Sequence, residues 1–423
     1  MLHDILLTQK REIALRLAEA FVPRTSVFDP PTADLTRVII GPRRAGKSSW
    51  AMQLASREGA FGYVNFDDER LARLVPDAAG SDPLMAAIDA VYENPRLIFF
   101  DEIQNMPGWE LLVNRLHRSG RRLILTGSNA HLLSSELSTH LTGRHVALPL
   151  FPFSFSEFLS AKTAGGGGVT QSEKAALCRV YAGEGGFPET VTKSIARDSY
   201  LRTLLQSVLF KDIVGRHRVR ATRGLEDLVL WLLSNAGAEY SLNTLAKLTG
   251  CRSAHTVRKY LGYLEEAFLV FSVPCFSWKV REQIATNKKI YAVDTGLATA
   301  AGFRFSANTG RLYENLAAIA CRRRQLRGEC ELYFWKNAQG GEVDFVLKTG
   351  REVTALIQVC ANAGEPGTRE REMRALLKAS RELRCDKLLL LTEAEEGAEV
   401  FEWHGLSGKI TLLPLWRWLA END

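Results

Sequence analysis

The sequence predicts an α/β protein with a parallel sheet in its amino-terminal part. Between residues 36 and 150, short apolar segments alternate with segments of helical periodicity. This alternation is typical of a sheet with helices on its faces. Buried parallel strands form continuous apolar runs, and four such runs lie at residues 38–40, 62–66, 97–100 and 123–126. A glycine-rich loop joins the first run to the first helical segment.

Composition limits the class of protein. The chain has 423 residues, 46% of them hydrophobic, which suits about two to four folded domains and argues against a disordered chain. Lys and Arg number 54 and Asp and Glu 48, a net charge of +6 that permits nucleic-acid binding without implying it. The 7 cysteines include no Cys-x-x-Cys pair, which excludes a zinc ribbon and argues against a disulfide framework. We expect reduced thiols, a cytoplasmic location, and neither a signal peptide nor a membrane-spanning segment.

Changes of pattern along the chain predict its division into parts. An amphipathic helix is predicted over residues 2–20, and the four glycines at 165–168 indicate a linker. The predicted parts are an N-terminal helix (1–24), the α/β core (25–160), a glycine-rich linker (161–172), a helical lid (173–238), a winged helix (239–276) and a second α/β domain (277–423).

The glycine-rich loop fits the phosphate-binding pattern GxxxxGK[ST], and it has the strand before it and the helix after it that the pattern requires. Its backbone N–H groups and the helix N-terminus are expected to hold the phosphates of ATP. Lys47 would neutralise charge on the β- and γ-phosphates, and the Ser48 hydroxyl would bind Mg²⁺. The residues assigned to nucleotide binding are Gly41, Pro42, Arg43, Arg44, Ala45, Gly46, Lys47, Ser48 and Ser49.

Two acidic residues end the apolar run at 97–100. Asp101 suits the coordination shell of Mg²⁺, directly or through water. Glu102 suits the orientation and deprotonation of the attacking water. A second acidic segment at 67–69 is more typical of a solvated loop.

Further short motifs follow the phosphate-binding loop in order along the chain. They lie at residues 99–104, 123–129, 148–158, 185–189, 211–213, 289–297, 313–315 and 342–345. Together with residues 41–48, this series resembles bacterial and archaeal ATPases that pair an AAA-type core (AAA_14) with a C-terminal domain of unknown function (DUF4143). The resemblance implies an AAA-type P-loop core, ATP and Mg²⁺ as cofactors, and assembly as a homo-oligomer.

The resemblance also implies roles for residues outside the loop. The run at 123–126 is similar to the sensor-1 strand of AAA+ ATPases, so Ser128 or Asn129 would contact the γ-phosphate or the attacking water. Gly186 and Pro188 match a Gly-x-Pro element of the lid that contacts nucleotide in initiator-like and STAND-like ATPases. Arg144 is a candidate for stabilising charge on the transferred phosphoryl group, in cis or from a neighbouring subunit. The alternative for Arg144 is a surface arginine that faces solvent or nucleic acid.

Residues 240–275 show a helix–turn–helix pattern that ends in a strand, which is typical of a winged helix. Ser241 and Ser253 are predicted to cap its two helices. Four basic residues would share the polar side of the second helix, and basic residues also gather at 211–223 and 322–327. A recognition helix enters the major groove with such a face. The pattern therefore suits double-stranded DNA, although winged helices also act as packing modules.

The C-terminal part resembles the restriction-endonuclease-like fold, whose pattern is a helix Glu, a strand Asp and then Glu-x-Lys. Glu314 and Asp344 match the first two positions, whereas Gln358 and Cys360 stand in place of the Glu-x-Lys pair. Nuclease chemistry needs clustered carboxylates for Mg²⁺ and a Lys beside the attacking water. We therefore expect a vestigial site with degraded or absent nuclease activity.

The sequence as a whole predicts an ATP-binding protein and a slow, Mg²⁺-dependent ATPase that couples its nucleotide state to DNA binding. The main alternative is a nucleotide-gated scaffold that binds proteins and makes no contact with DNA. An ATP-regulated nuclease is the least favoured alternative.

Overall fold

A computed structural model describes residues 1–25, 35–74, 81–127, 143–163, 168–302, 309–362, 364 and 366–422. The chain divides into two compact units, Met1–Phe151 and Pro152–Asp423. The elements of the first unit are α1 (Leu2–Leu17), β1 (Thr36–Ile40), α2 (Lys47–Arg57), β2 (Phe61–Asn65), α3 (Glu69–Leu74), α4 (Asp82–Tyr92), β3 (Leu97–Asp101), α5 (Trp109–Arg118), β4 (Arg122–Gly127) and β5 (His145–Pro149).

The described residues of the first unit form a five-stranded sheet in the order β2-β3-β4-β1-β5. All its neighbouring strands pair in parallel. β1, β3 and most of β4 are buried along their length, which explains why these strands are continuous apolar runs. Because parallel strands end at one edge, the segments after β1, β3 and β4 meet there.

Helix α1 packs on this unit through one face. Ile5, Leu6 and Ile13 are buried, and the Gln9 amide donates to the Asn65 backbone carbonyl at 3.3 Å. The helix ends at Leu17, three residues before the predicted end at residue 20.

The second unit holds a helical region, a small sheet and a larger mixed sheet. A π-helix at Val208–Val214 continues the helix at Arg197–Ser207, which is α9. The elements are α6 (Phe155–Lys162), α7 (Gln171–Glu184), α8 (Pro188–Thr192), α9 (Arg197–Ser207), α10 (Thr222–Ser234), β6 (Glu239–Tyr240), α11 (Leu242–Leu248), α12 (Ala254–Glu266), β7 (Val270–Pro274), α13 (Val280–Ala285), β8 (Lys288–Ala292), α14 (Thr295–Ala301), α15 (Thr309–Leu326), β9 (Glu331–Lys336), β10 (Glu342–Thr349), β11 (Glu352–Cys360), α16 (Pro366–Leu383), β12 (Leu388–Thr392), β13 (Gly397–Trp403), β14 (Leu406–Pro414) and α17 (Leu415–Asn422).

The second unit contains two sheets, whose strands follow one another along the chain. Within the described residues, the small sheet has the order β6-β8-β7 and the larger one the order β13-β14-β12-β11-β10-β9. A backbone hydrogen bond joins them, because the Phe276 N–H donates to the Phe334 carbonyl at 2.7 Å. The two sheets are therefore held together at the β7 and β9 edges.

The caps of α11 and α12 differ from each other. The Ser253 hydroxyl accepts from the Thr256 N–H at 3.2 Å, which confirms the predicted cap of α12. Ser241 precedes α11, but its side chain makes no capping hydrogen bond, so that part of the prediction is wrong. α11 is instead held by its buried Leu245.

Candidate nucleotide site

The phosphate-binding loop joins β1 to α2 and requires glycine at both ends. A Cβ at Gly41 would lie 1.9 Å from the Leu150 carbonyl oxygen, with φ at +155°. Gly46 has φ 90° and ψ 22° at the start of α2, a left-handed conformation that glycine adopts without strain. Close packing explains the first glycine, and backbone conformation explains the second.

Buried hydrogen bonds hold the loop in shape. The Lys47 ammonium, only 5% exposed, donates to the carbonyls of Gly41 at 3.1 Å and Pro42 at 2.9 Å. Arg24 donates to the Ala45 carbonyl at 2.8 Å and also to that of Phe151. Arg24 could not be predicted as part of this loop, because it lies 21 residues before Ala45 and outside any motif.

Asp101 lies at the centre of a polar cluster at the carboxyl edge of the sheet. Its Oδ1 accepts from the Ser48 hydroxyl at 2.8 Å and from the Thr126 hydroxyl. Its Oδ2 accepts from the Tyr63 hydroxyl at 3.3 Å. Burial, together with the Glu102 charge, raises the pKa of Asp101 to about 6, although the hydrogen bonds from Thr126 and Ser48 oppose this rise. Hydroxyl and carboxylate oxygens at this spacing are ligands that suit Mg²⁺.

Glu102 follows Asp101 in a left-handed backbone conformation, with φ 51° and ψ 44°. Its N–H donates to the Thr126 hydroxyl at 3.1 Å, and its carboxylate accepts from the Gln104 amide. The turn at Glu102 lies at the edge where α2 begins, since β1 and β3 both flank β4. Glu102 is half-buried, and it directly follows Asp101, which contacts Ser48 at the end of the phosphate-binding loop.

The other predicted nucleotide residues differ in exposure. Arg44 and Ser49 are exposed, Arg43 is half-buried, and Pro42 and Ala45 are buried. Ser128 and Asn129, the two sensor candidates, lie outside the described residues. Within the described part of the sensor strand, the Thr126 hydroxyl contacts Asp101. This contact was not predicted from the sequence, because functional polar residues were expected only after the end of the strand.

Arg144 lies far from the phosphate-binding loop of its own unit. It is exposed, and its backbone carbonyl accepts from the Thr36 N–H at 3.0 Å. Thr36 begins β1, whereas the loop follows the other end of that strand. Strands of this length span about 15 Å, so the two lie at opposite edges of the sheet. A role in the same subunit is therefore disfavoured, and a role on a neighbouring subunit's nucleotide, like homo-oligomer formation itself, stays a prediction.

Gly186 and Pro188 lie in the second unit, where close packing explains the glycine. The Gly186 N–H donates to Asp294 Oδ2 at 2.7 Å, and its carbonyl accepts from the Phe153 N–H at 2.7 Å. A Cβ at Gly186 would lie 2.2 Å from the Phe153 carbonyl oxygen. Pro188 opens α8 at its first position, which suits proline. Contact of this element with nucleotide stays a prediction.

The buried Asp294 provides a test of how this glycine element is held. Burial raises the pKa of Asp294 from 3.8 to about 6, although backbone N–H groups that include Gly186 oppose the rise. A raised carboxyl pKa means that the folded state holds the proton more tightly, so stability falls as pH rises through this window. We expect the free energy of unfolding to decrease by about 1 kcal/mol between pH 5 and pH 7 because of this residue.

Urea unfolding of the wild type and of Asp294→Asn at both pH values measures this contribution. The difference in unfolding free energy between the two proteins should change with pH in the stated direction. A difference that stays constant between the two pH values would show that Asp294 does not titrate there.

The residues of the predicted vestigial nuclease site lie together in the second unit. The Asp344 N–H donates to Gln358 Oε1 at 3.0 Å. The Lys289 ammonium lies 2.9 Å from Glu314 Oε1 and 3.0 Å from Asp344 Oδ1. Lys289 belongs to β8, and sequence reasoning did not connect it to this site.

The parallel sheet and its phosphate-binding loop define the P-loop ATPase fold of the AAA class. The AAA domain family AAA_14 matches residues 34–159, and two domains of unknown function, DUF8612 and DUF4143, match residues 176–308 and 309–416. The chain belongs to the family of proteins that join an AAA_14 domain to a C-terminal DUF4143 domain. The family and the α/β fold class predicted from the sequence are thereby confirmed.

Relatives occur in archaea and bacteria. An uncharacterized protein of Methanocaldococcus jannaschii is 32% identical over 397 residues, which cover 90% of this chain and 87% of the relative. An uncharacterized protein of Haemophilus influenzae is 32% identical over 334 residues, which cover 76% of this chain and 81% of the relative. A solved Walker-type ATPase of Pyrococcus abyssi aligns at 16% identity with a TM-score of 0.40, covering 69% of this chain and 94% of that one. Among the described residues, no helix is long and apolar enough to cross a membrane.

Proposed function

We propose that this chain binds ATP, hydrolyses it slowly in the presence of Mg²⁺, and couples its nucleotide state to the binding of double-stranded DNA. The observation that carries the ATPase part is the contact between the Ser48 hydroxyl and the Asp101 carboxylate. It brings the end of the phosphate-binding loop and the acidic strand end into one site. Family membership supports nucleotide binding.

Each residue of the site has a distinct task in this proposal. Lys47 and the N-terminus of α2 bind the phosphates, while Ser48 and Asp101 hold the metal. Bound Mg²⁺ would neutralise charge on the β- and γ-phosphates. Glu102 accepts the proton of the attacking water. Ser128 or Asn129 orients the γ-phosphate or that water. The defining measurement is phosphate release from ATP by the purified chain, and release that is equal with Mg²⁺ and with a chelator would contradict the proposal.

The DNA part of the proposal is supported by the arrangement of α10 to β8. The order helix, strand, helix, helix, strand, short helix, strand with the sheet order β6-β8-β7 supports our inference of a winged helix. In this proposal α12 is the second helix of its helix–turn–helix. α12 buries Val257, Leu261 and Leu264. Its opposite side and the preceding turn expose four basic residues: Arg252, His255, Arg258 and Lys259.

The basic residues at 322–327 do not extend this surface, contrary to the sequence interpretation. Arg323 is buried and donates to the Pro152 carbonyl at 2.9 Å. Arg324 and Arg327 both pair with Glu329, and Arg322 lies over the Phe271 ring. The exposed basic residues at 211–223 remain, namely Lys211, Arg216, Arg218, Arg220 and Arg223.

We expect the double variant Arg258→Ala/Lys259→Ala to bind duplex DNA more weakly, because both side chains lie on the exposed face of α12. If both contact phosphates, the slope of log K against log salt should fall by about 2. Filter binding at several salt concentrations measures both quantities. The matched control is Arg351→Ala/Lys409→Ala, which removes the same charge from two exposed positions, one in the turn between β10 and β11 and one on β14.

Two outcomes would contradict the DNA proposal. An equal loss of affinity in both double variants would show that only net charge matters. Failure of the wild type to bind duplex DNA at low salt, with ATP or with ADP, would favour the nucleotide-gated scaffold instead.

A further inference from the structure

A lysine ammonium lies buried among three carboxylates in the second unit. The Lys289 side chain is 3% exposed, and its Nζ lies 2.6 Å from Glu342, 2.9 Å from Glu314 and 3.0 Å from Asp344. An ammonium group has three N–H donors, and each of them has a carboxylate oxygen within hydrogen-bond distance. The charge is therefore fully compensated where it lies.

The four side chains come from three different elements. Lys289 projects from β8 of the small sheet, Glu314 from α15, and Glu342 and Asp344 from β10 of the large sheet. The Lys289 ammonium also lies over an aromatic ring, with Nζ 5.7 Å from the centroid of Phe334. The ammonium thus lies where the carboxylates of α15 and β10 converge. A metal cation held by these carboxylates would occupy the same position.

Several polar atoms of the cluster also form hydrogen bonds with the surrounding protein. Asp344 Oδ2 accepts from the Val359 N–H at 3.0 Å, and Glu314 Oε1 accepts from the Tyr291 hydroxyl at 2.7 Å. Gln358 Oε1 accepts from the Asp344 N–H, and its amide nitrogen donates to Glu372 at 2.7 Å. The side-chain carbonyl of Gln358, which stands in place of the glutamate of the pattern, is therefore used in hydrogen bonding inside the fold.

These residues do not fit a resident divalent ion. A second cation at the same point would meet the Lys289 charge at close range, where repulsion in a buried site is strong. Burial and the Asp344 charge raise the pKa of Glu314 to about 7, while Lys289 opposes the rise. Among the described residues, no group of three or more His, Cys, Asp and Glu side chains has a metal-holding arrangement.

We propose that the Lys289 ammonium is a built-in replacement for a divalent cation, so that this carboxylate cluster binds no metal and instead fixes the small sheet to the large one. In the endonuclease pattern a lysine stands at the position of Cys360. Lys289 does not take over the catalytic role of that lysine, because all three donors of Lys289 are engaged with carboxylates. Removal of the ammonium should convert the cluster into a metal site. This inference does not depend on ATP hydrolysis, and its test uses no nucleotide.

The test compares Mn²⁺ binding to the full chain by electron paramagnetic resonance, with Tm measured over the same titration. The wild type and its Asp344→Asn variant should bind equal amounts of Mn²⁺, because the cluster contributes no site. Lys289→Met is expected to melt at a lower temperature, to bind an additional Mn²⁺, and to regain Tm as Mn²⁺ is added. The double variant Lys289→Met/Asp344→Asn should lose the additional ion.

Two results would overturn the proposal. One is Mn²⁺ binding by the wild type that disappears in Asp344→Asn, which would mean that metal displaces the lysine. The other is a folded Lys289→Met protein that binds no more Mn²⁺ than the wild type. If Lys289→Met does not fold even with Mn²⁺, the comparison of the wild type with Asp344→Asn still decides whether the native cluster is closed to metal.

Discussion

Replacement of Lys47 by Ala is expected to lower kcat for ATP hydrolysis by about 10²–10³-fold, the loss that follows removal of one electrostatic contact to a transition state. The Lys47 ammonium is the buried positive charge of the phosphate-binding loop. It is held at the loop by the carbonyls of Gly41 and Pro42. A methyl group in its place leaves negative charge on the transferred phosphoryl group without this partner. Steady-state phosphate release with saturating Mg²⁺ and ATP measures the effect.

The control for this variant is Arg57→Ala, which removes a positive charge from the exposed end of the same helix. It should leave kcat unchanged. Because Lys47→Ala also removes one hydrogen bond from each of two loop carbonyls, circular dichroism should first confirm that the variant is folded. Turnover by a folded Lys47→Ala protein at the wild-type rate would assign the hydrolysis to another site or a contaminant.

Local chemistry explains why the sequence predicted which residues meet in the candidate nucleotide site. The loop pattern specifies a strand, a turn with left-handed glycine and a helix N-terminus, and these lie within residues 38–57. Asp101 ends a strand of five buried residues and Glu102 follows it, so the pattern also predicts that they face the carboxyl edge. Features of this kind depend only on residues close in sequence and on the direction of a strand. A single sequence is therefore enough to predict them.

Contacts between distant segments could not be predicted in the same way. Arg24 reaches the loop from the N-terminal segment, and Tyr63 reaches Asp101 from the neighbouring strand β2. Neither residue type is unusual, and nothing in the local pattern indicates which carbonyl or carboxylate it meets. The arginines at 322–327 show the opposite kind of failure. The basic run suggested an exposed surface for binding, but in the fold these arginines contact other residues of the same chain.

The acidic cluster of the second unit shows why a motif can be present while its chemistry is replaced. The resemblance to the restriction-endonuclease-like fold predicted that Glu314 and Asp344 converge, and the structure brings both to Lys289. The identity of the cation was not readable, because Lys289 precedes Glu314 by 25 residues and lies in a strand of another sheet. Pairing of β8 with β6 and β7 fixes where that lysine points.

Glu102→Gln is expected to lower kcat by about 10²–10⁴-fold while ATP is still bound, because a general base contributes to the transition state and little to the binding of substrate. The amide keeps the size of the carboxylate. The turn that holds Glu102 depends on its backbone N–H, which bonds to Thr126, so the change should not disturb Asp101. ATP affinity, measured with a fluorescent nucleotide, and phosphate release under single-turnover conditions separate the two quantities.

The control is Glu93→Gln, the same chemical change at an exposed residue that also has a left-handed backbone, at the end of α4. It should alter neither quantity. A variant at Glu102 that loses ATP affinity and kcat together would indicate a structural role in the site. One that keeps the wild-type kcat would move the base to another residue, since Asp101 is already engaged by Ser48, Thr126 and Tyr63. Only loss of turnover with retained binding distinguishes an acceptor of the water proton from a residue that shapes the loop.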